Sequence, residues 1–254
     1  MSNNPYESPA PLENVALPAT PQTTVVPFES GHARAINARV MLSLMIALDL
    51  ATIVGYWMQI RLLQTARLGQ ATQEQLESND HRQQLLAMAF VMMLIATAVC
   101  FLMWFHRVYR NLPALGAAGL QYTPAWAAGY WFIPILNLGR PCQVACEIWR
   151  ASDPQIEEPW GTGWRQASLT PLIGIWWASW LISNLAENLT SRLPTDSIDQ
   201  LMSTSWCMIA VTIPRLLSAS LAIALITAID RRQEVKYEQR FRQGQPVAVE
   251  LTPE

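Results

Sequence analysis

The sequence predicts an all-α membrane protein: four transmembrane helices, with a re-entrant or interfacial elbow and a short helix on the cytoplasmic side between the second and third spans. Three observations predict it. Apolar residues make up 51% of the chain and charged residues only 14%, too few charges to clothe a water-soluble surface. Four apolar runs of about eighteen to twenty-five residues are each long enough, at about 1.5 Å per residue, to approach or cross a hydrocarbon layer of about 30 Å. Between the second and third of them, the mostly apolar stretch from Pro124 to Leu138 reaches only about 22 Å and is broken by Pro134, so it reads as a turn back, with a fifth, kinked span as the rival.

The same composition excludes other classes. A net charge of −2, with no basic run interleaved with aromatics, leaves no footprint for a nucleic acid. Nearly all the positive charge is arginine, and Lys236 is the only lysine. The four cysteines are too scattered for a disulfide framework. No GxSxG, GxxxxGK[ST] or HExxH motif is present, and His32, His81 and His106 lie on separate stretches. The sequence therefore calls for no catalytic residue, cofactor or metal. Cys142 and Cys146 stand four apart on one helix face with only His106 nearby, short of a zinc set, and read better as small packing residues.

In chain order, residues 1–32 form a polar, proline-rich tail without an apolar face, expected to be disordered and not a cleavable signal peptide. The membrane domain follows over 33–232. Its first span, 39–61, carries a polar face of Asp49, Thr52, Tyr56 and Gln59 and a small face of Ala47, Ala51 and Gly55, so it belongs inside a bundle. A polar loop over 62–83 is expected to end in a capping box, Asp80 with Gln83. The second span, 85–105, runs without charge into a collar of Trp104, His106, Arg107 and Arg110. The elbow occupies 111–150, with Pro134 and Pro141 as helix breakers. Trp160 and Trp164 then read as interface anchors. The third span, 169–186, opens with Pro171 in its first turn and holds Trp176, Trp177 and Trp180. The fourth, 205–229, continues into a charged, solvated tail over 233–254.

Arginine and lysine set the orientation. Twelve fall in the N-terminal segment, the elbow connector and the C-terminal tail, against four in the other two loops. That bias puts both termini and the elbow on the cytoplasmic side of the inner membrane.

Two groups of side chains are out of place in hydrocarbon. Asp49 and Arg215 are the two charges deepest in their spans, at depths that agree to about one helical turn. Opposite charges at one depth should seek each other, which makes the first and fourth helices neighbours with Thr52 or Thr212 close by; the alternative is a protonated Asp49 and an Arg215 that snorkels to the interface. The second group is the elbow: Arg107, Arg110, Asn111, Trp131, Phe132, Pro134, Asn137, Arg140, Glu147 and Trp149. Trp131, Phe132 and Ile133 are expected to wedge against the bundle while Pro134 and Asn137 make the turn. Asn111 and Asn137 read as caps for broken backbone. The rival reading has Arg107, Arg110, Asn137 and Arg140 holding a small ligand or lipid headgroup at the inner leaflet.

Trp104, Arg107, Arg110 and Asn111, then Pro124, Gly129, Trp131-Phe132-Ile133-Pro134, Asn137 and Pro141, then Glu147-Ile148-Trp149-Arg150 make a fairly specific pattern, joined by Trp176-Trp177. This middle third of the chain resembles a bacterial membrane family known only as domain of unknown function 4328. The resemblance implies a multi-pass protein with four spans and brings no activity with it. Gly139-Arg140 and Cys142 depart from the bulkier aromatics of the pattern.

Three function classes remain. The preferred one is a membrane scaffold or sensor that engages the lipid bilayer, or a membrane or cytoplasmic protein, through its elbow. The second is a small transporter or channel using the polar stripe of the first span, although no internal repeat supports it. A membrane enzyme is last.

Overall fold

A computed structural model describes residues 27–156 and 161–242, and every described helix but the shortest begins or ends on a recognisable local signal. The element α1, His32–Arg67, stops where Gly69 takes a left-handed φ of 69° and its N–H reaches back to the Ala66 carbonyl. Only a short turn follows. The Thr72 hydroxyl accepts the Gln75 N–H while the Gln75 side chain accepts the Thr72 N–H, and this capping box opens α2, Gln73–Arg110. The polar loop expected over 62–83 is thus almost wholly helical, and Asp80 and Gln83 lie inside α2. The stretch is rich in Gln and Glu, which are good helix formers, and the box stands earlier than the one expected.

A threonine followed by a proline starts two later helices. Thr123 caps α3, Pro124–Gly129, by accepting the Trp126 N–H, and Thr170 caps α5, Pro171–Thr190, by accepting the Leu172 N–H. In each the proline takes a first-turn position that has no partner for an N–H. Pro141 plays the same part in α4, Arg140–Ala151, so it starts a helix where a break was expected. Between α3 and α4 the chain makes two single 3-10 turns, Tyr130–Phe132 and Leu136–Leu138. The last element, α6, runs unbroken from Ile198 to Arg242, with Pro214 inside it.

Among the described residues there is no strand, and three helices, α1, α2 and α6, are long and apolar enough to cross a membrane. That composition points to membrane association. Helix α5 lies where a fourth span was expected but is not among them; in its 20 residues the apolar run is diluted by tryptophan, serine, Asn184 and Glu187.

The long helices pack in a row. Helix α1 lies against both α2 and α6, α6 against α5, and α3 rests on α2. Helices α2 and α5 are the outer posts, and aromatic rings bridge them: Phe101 and Trp176 lie 6.2 Å apart. At Gly55 the backbones of α1 and α2 come so close that a Cβ would stand 2.6 Å from Leu86 Cδ1, and Gln83 donates to the Gly55 carbonyl there. Ala47 and Ala51 of the expected small face are exposed instead; Ala35 and Ala38 are the buried small residues of α1.

The core gathers at one end, called here the collar end, where Trp104, Phe105, Tyr109, Leu112, Ile148, Ile226 and Ile229 are all but inaccessible. Towards the other end, where α1 turns into α2, large apolar side chains point outward instead: Leu50, Val54, Trp57, Met88, Met92, Ile95, Ile182 and Ile213. A water-soluble monomer does not carry such a belt.

The N-terminal tail expected to be disordered lies largely outside the described residues, as do Trp160 and residues 243–254. Its last residues are placed. Phe28 stacks on Tyr237 at 4.2 Å, Glu29 pairs with Arg107, and His32 Nδ1 lies 2.7 Å from Asp230. The expected solvated tail after 230 is likewise half-buried: Gln233, Lys236 and Arg240 continue the inward stripe of Ile226 and Ile229 at helical spacing. Trp164, expected at an interface, is buried and donates to the Ala118 carbonyl.

Candidate functional site

The row of helices encloses a chamber of about 370 Å³ between α1, α2, α5 and α6, with the elbow as its floor. Its size lies within the usual range of small-molecule sites. The walls are mostly apolar and aromatic: Leu94, Phe101, Trp176 and Trp180, with Phe90 at the far end. Trp131 closes the floor, in ring contact with Phe101, Phe105, Trp176, Trp177 and Trp180 at 5.4–6.4 Å. Each such pair adds about 0.5–1.5 kcal/mol beyond its area, so the elbow is held by this one side chain more than by any other.

Of the expected wedge only Trp131 enters the bundle. Phe132 is 74% exposed at the mouth of the chamber, and Ile133, Pro134, Ile135 and Leu138 face outward with it. The turn itself is made by backbone: the Asn137 N–H donates to the Ile133 carbonyl and the Gly139 N–H to that of Leu136. Trp177 Nε1 donates to the Leu138 carbonyl. Asn137 does not cap anything through its side chain. Its Oδ1 lines the chamber and, like Trp131 Nε1, is buried without a hydrogen-bond partner.

At the far end of the chamber stands a charged cluster. Arg215 of α6 lies 2.6 Å from Asp49 of α1, and its other nitrogen pairs with Glu187 of α5. Its guanidinium carbon sits 4.5 Å from the centre of the Phe90 ring. Asp49 is 0% exposed, whereas Arg215 and Glu187 line the chamber. Thr52 and Thr212, one turn from Asp49 and Arg215 along their helices, donate to the Leu48 and Met208 carbonyls of those helices. Nearly three turns beyond Asp49 along α1, Gln59 is sealed too: it donates to Ser205 Oγ at 3.0 Å and accepts from Asn79 at 3.5 Å. Glu187 escaped the sequence reading because it falls one residue past the expected end of the third span. The signal for it was that a lone Asp49–Arg215 pair left no partner for the second half of the guanidinium fork.

The remaining elbow residues divide between two collar-end clusters. Asn111, buried at the end of α2, donates to the Glu29 carbonyl at 2.8 Å and to Gln233 at 3.4 Å, clipping the N-terminal segment to α6. Arg107 holds Glu29 from the same helix. Lys236 is 3% exposed and donates to the Ala151 carbonyl at 2.8 Å; Gln233 donates to the Val108 carbonyl and to Ser152. Burial, aided by Arg240, holds the Lys236 ammonium down to about 8. Arg232 pairs with Asp153 at 2.9 Å and lies over Trp149 at 4.2 Å. Gly116, at a φ of 82°, lets the Arg240 guanidinium press against its Cα, where any Cβ would collide.

The second cluster surrounds Glu147, buried in α4. It accepts the Gln121 N–H at 2.8 Å and faces the Tyr109 hydroxyl at 3.1 Å, and burial pushes its carboxyl up from the usual range. Arg140 and Arg110 are exposed; Arg140 donates to Gln143 and Tyr122, away from Arg107. The ligand set Arg107, Arg110, Asn137 and Arg140 is therefore not brought together. Cys146 takes a hydrogen bond from Cys142, which draws its thiol down to about 7 and pushes that of Cys142 up. Among the described residues no three His, Cys, Asp or Glu gather as a metal would need.

Most of these features fall within one matched region. The model of the family described as Domain of unknown function (DUF4328) matches residues 67–231, which holds α2 to α5, the elbow, and α6 as far as Arg231. The chain belongs to this family. The match includes the chamber floor, Glu187 and Arg215, while Asp49 and the collar-end stripe of Gln233, Lys236 and Arg240 fall outside it. No curated protein and no solved structure matches the chain.

Proposed function

We propose that this DUF4328 protein is a four-span protein of the inner membrane, with both termini and the elbow cytoplasmic, that takes up a bilayer-borne amphiphile in its chamber and serves as a membrane sensor or scaffold. The observation that carries the reading is that Trp131, the chamber floor, is also the anchor of the elbow. Whatever fills the chamber touches the elbow directly. From there the chain runs into α4, whose end is tied to α6 through Ser152 and Asp153.

Several features support the topology. Helix α5 has 20 residues, about 30 Å at 1.5 Å each, enough for a fourth span. The arginine bias puts the collar end inside. Trp177 stands six residues past Pro171, about 9 Å along α5, and its bond to Leu138 draws the elbow to that depth. Irregular backbone at such depth is tolerated where its polar groups find partners, and here the Asn137, Leu138 and Gly139 N–H groups donate to the Ile133, Ile135 and Leu136 carbonyls. Phe132, Ile135 and Leu138 then meet acyl chains.

A transport reading draws on Arg215 and Glu187 lining the chamber. Against it, Asp49 and Gln59 are sealed between helices, which takes both ends of the polar stripe of α1 away from any aqueous path.

The test is photolabelling in proteoliposomes with a phospholipid carrying a diazirine on its acyl chain. Labels should concentrate on Phe101 and Trp131 and fall there in Leu94→Trp, which narrows the chamber. Labels confined to the outward residues Met88, Met92 and Ile182 would show an ordinary lipid boundary and end the proposal.

A further inference from the structure

We infer that the chamber selects an organic ammonium: an amphiphile with one positive charge on an apolar body, its charged end at Glu187 and its body along the aromatic walls. The inference rests on the chamber being a binding site, as proposed above, and adds the chemistry of what it binds.

Charge parity is the first ground. One guanidinium, Arg215, serves two carboxylates, Asp49 and Glu187. The Tyr56 phenol on α1 also lies near them, and α2 brings the uncharged ring of Phe90. With both carboxylates ionised the cluster is one positive charge short, and a bound cation would let the two keep their charge side by side. Asp49 is out of reach, with no accessible surface, but the Glu187 side chain is 36% exposed and lines the chamber.

The second ground is the wall. A quaternary or alkylated ammonium needs no hydrogen-bond acceptor; it needs a carboxylate and the electron-rich faces of aromatic rings. Phe90, Phe101, Trp176 and Trp180 supply such rings around the volume. An anionic headgroup finds the opposite: the single cation is already shared by two carboxylates and covered by Phe90.

Three probes of one chain length decide it: dodecyltrimethylammonium, dodecanol and dodecyl sulfate, titrated calorimetrically into the protein in nanodiscs against protein-free nanodiscs. The ammonium should bind saturably and tightest of the three. Glu187→Gln should weaken it by about tenfold or more while leaving dodecanol unchanged. Dodecyl sulfate binding as tightly as the ammonium, or Glu187→Gln leaving the ammonium unaffected, overturns the inference while the chamber stands. If none of the three saturates above protein-free discs, or if Leu94→Trp leaves all binding intact, the chamber reading itself fails and takes the inference with it. The ranking of probes on the wild-type chain holds even if the Gln variant does not fold.

Discussion

Two side chains carry sharp predictions of their own. Arg215 is shared, so its loss should be worse than the loss of either partner. Arg215→Met leaves two carboxylates with no cation and should cost about 3–5 kcal/mol, the range for a broken buried pair. Asp49→Asn keeps the Glu187 contact and should cost less, about 1–3 kcal/mol. Melting temperatures in one detergent give the order; an Asp49→Asn variant as unstable as Arg215→Met would mean that Glu187 does not hold the guanidinium. Lys236 gives a prediction in pH. Its pKa is depressed to about 8 from 10.5, so above neutrality the unfolded chain keeps the proton that the folded chain has lost. Stability should therefore rise as pH climbs between those values, and the cost of the buried charge is fully present below them. The melting temperature of the wild type should gain on that of Lys236→Met from about pH 8 to about pH 10.5, and parallel curves would place the ammonium in water. Counting helical rise from the span ends is enough to bring Asp49 and Arg215 to one level, because depth is a property of sequence position. Lys236 was not legible in that way: the run RRQEVKYEQRFR reads as solvated, and only the packing of α4 and α2 on one stripe of it buries the amine.

At the scale of elements, the interiors of the long helices could be read and their ends could not. Apolar runs mark where a helix meets lipid, but α1 and α2 continue as polar helix well beyond that, and nothing in hydropathy stops them before Gly69 and Thr72 do. The elbow was legible as a place and not as an arrangement. Its shortness and Pro134 say that it turns back; which of Trp131, Phe132 and Ile133 points inward depends on the two 3-10 turns that follow one another there. Asn137 shows the consequence. A capping role would make Asn137→Leu destabilising by about 1–3 kcal/mol. With Oδ1 buried and unpartnered, and the turn held by main-chain bonds, the same change should leave the melting temperature unchanged or raise it. A drop by several degrees would restore the cap.

Across the whole molecule, the proposed topology puts the α1–α2 turn and the C-terminus on opposite sides of the membrane. Reporter fusions after Gln70 and at Glu254 should give opposite signals; like signals would mean that α5 does not cross. The pairing of α1 with α6 also has a consequence in time. Asp49 enters the bilayer with α1, and Arg215 is made some 170 residues later, about ten to thirty seconds at about 5–20 residues per second. Glu187 is translated before Arg215 as well, so the nascent chain holds both carboxylates before their cation exists. Until the ribosome has delivered α6, the first span has a reason to stay shallow or to lean on the insertion machinery, and its final depth is set by the last helix to arrive.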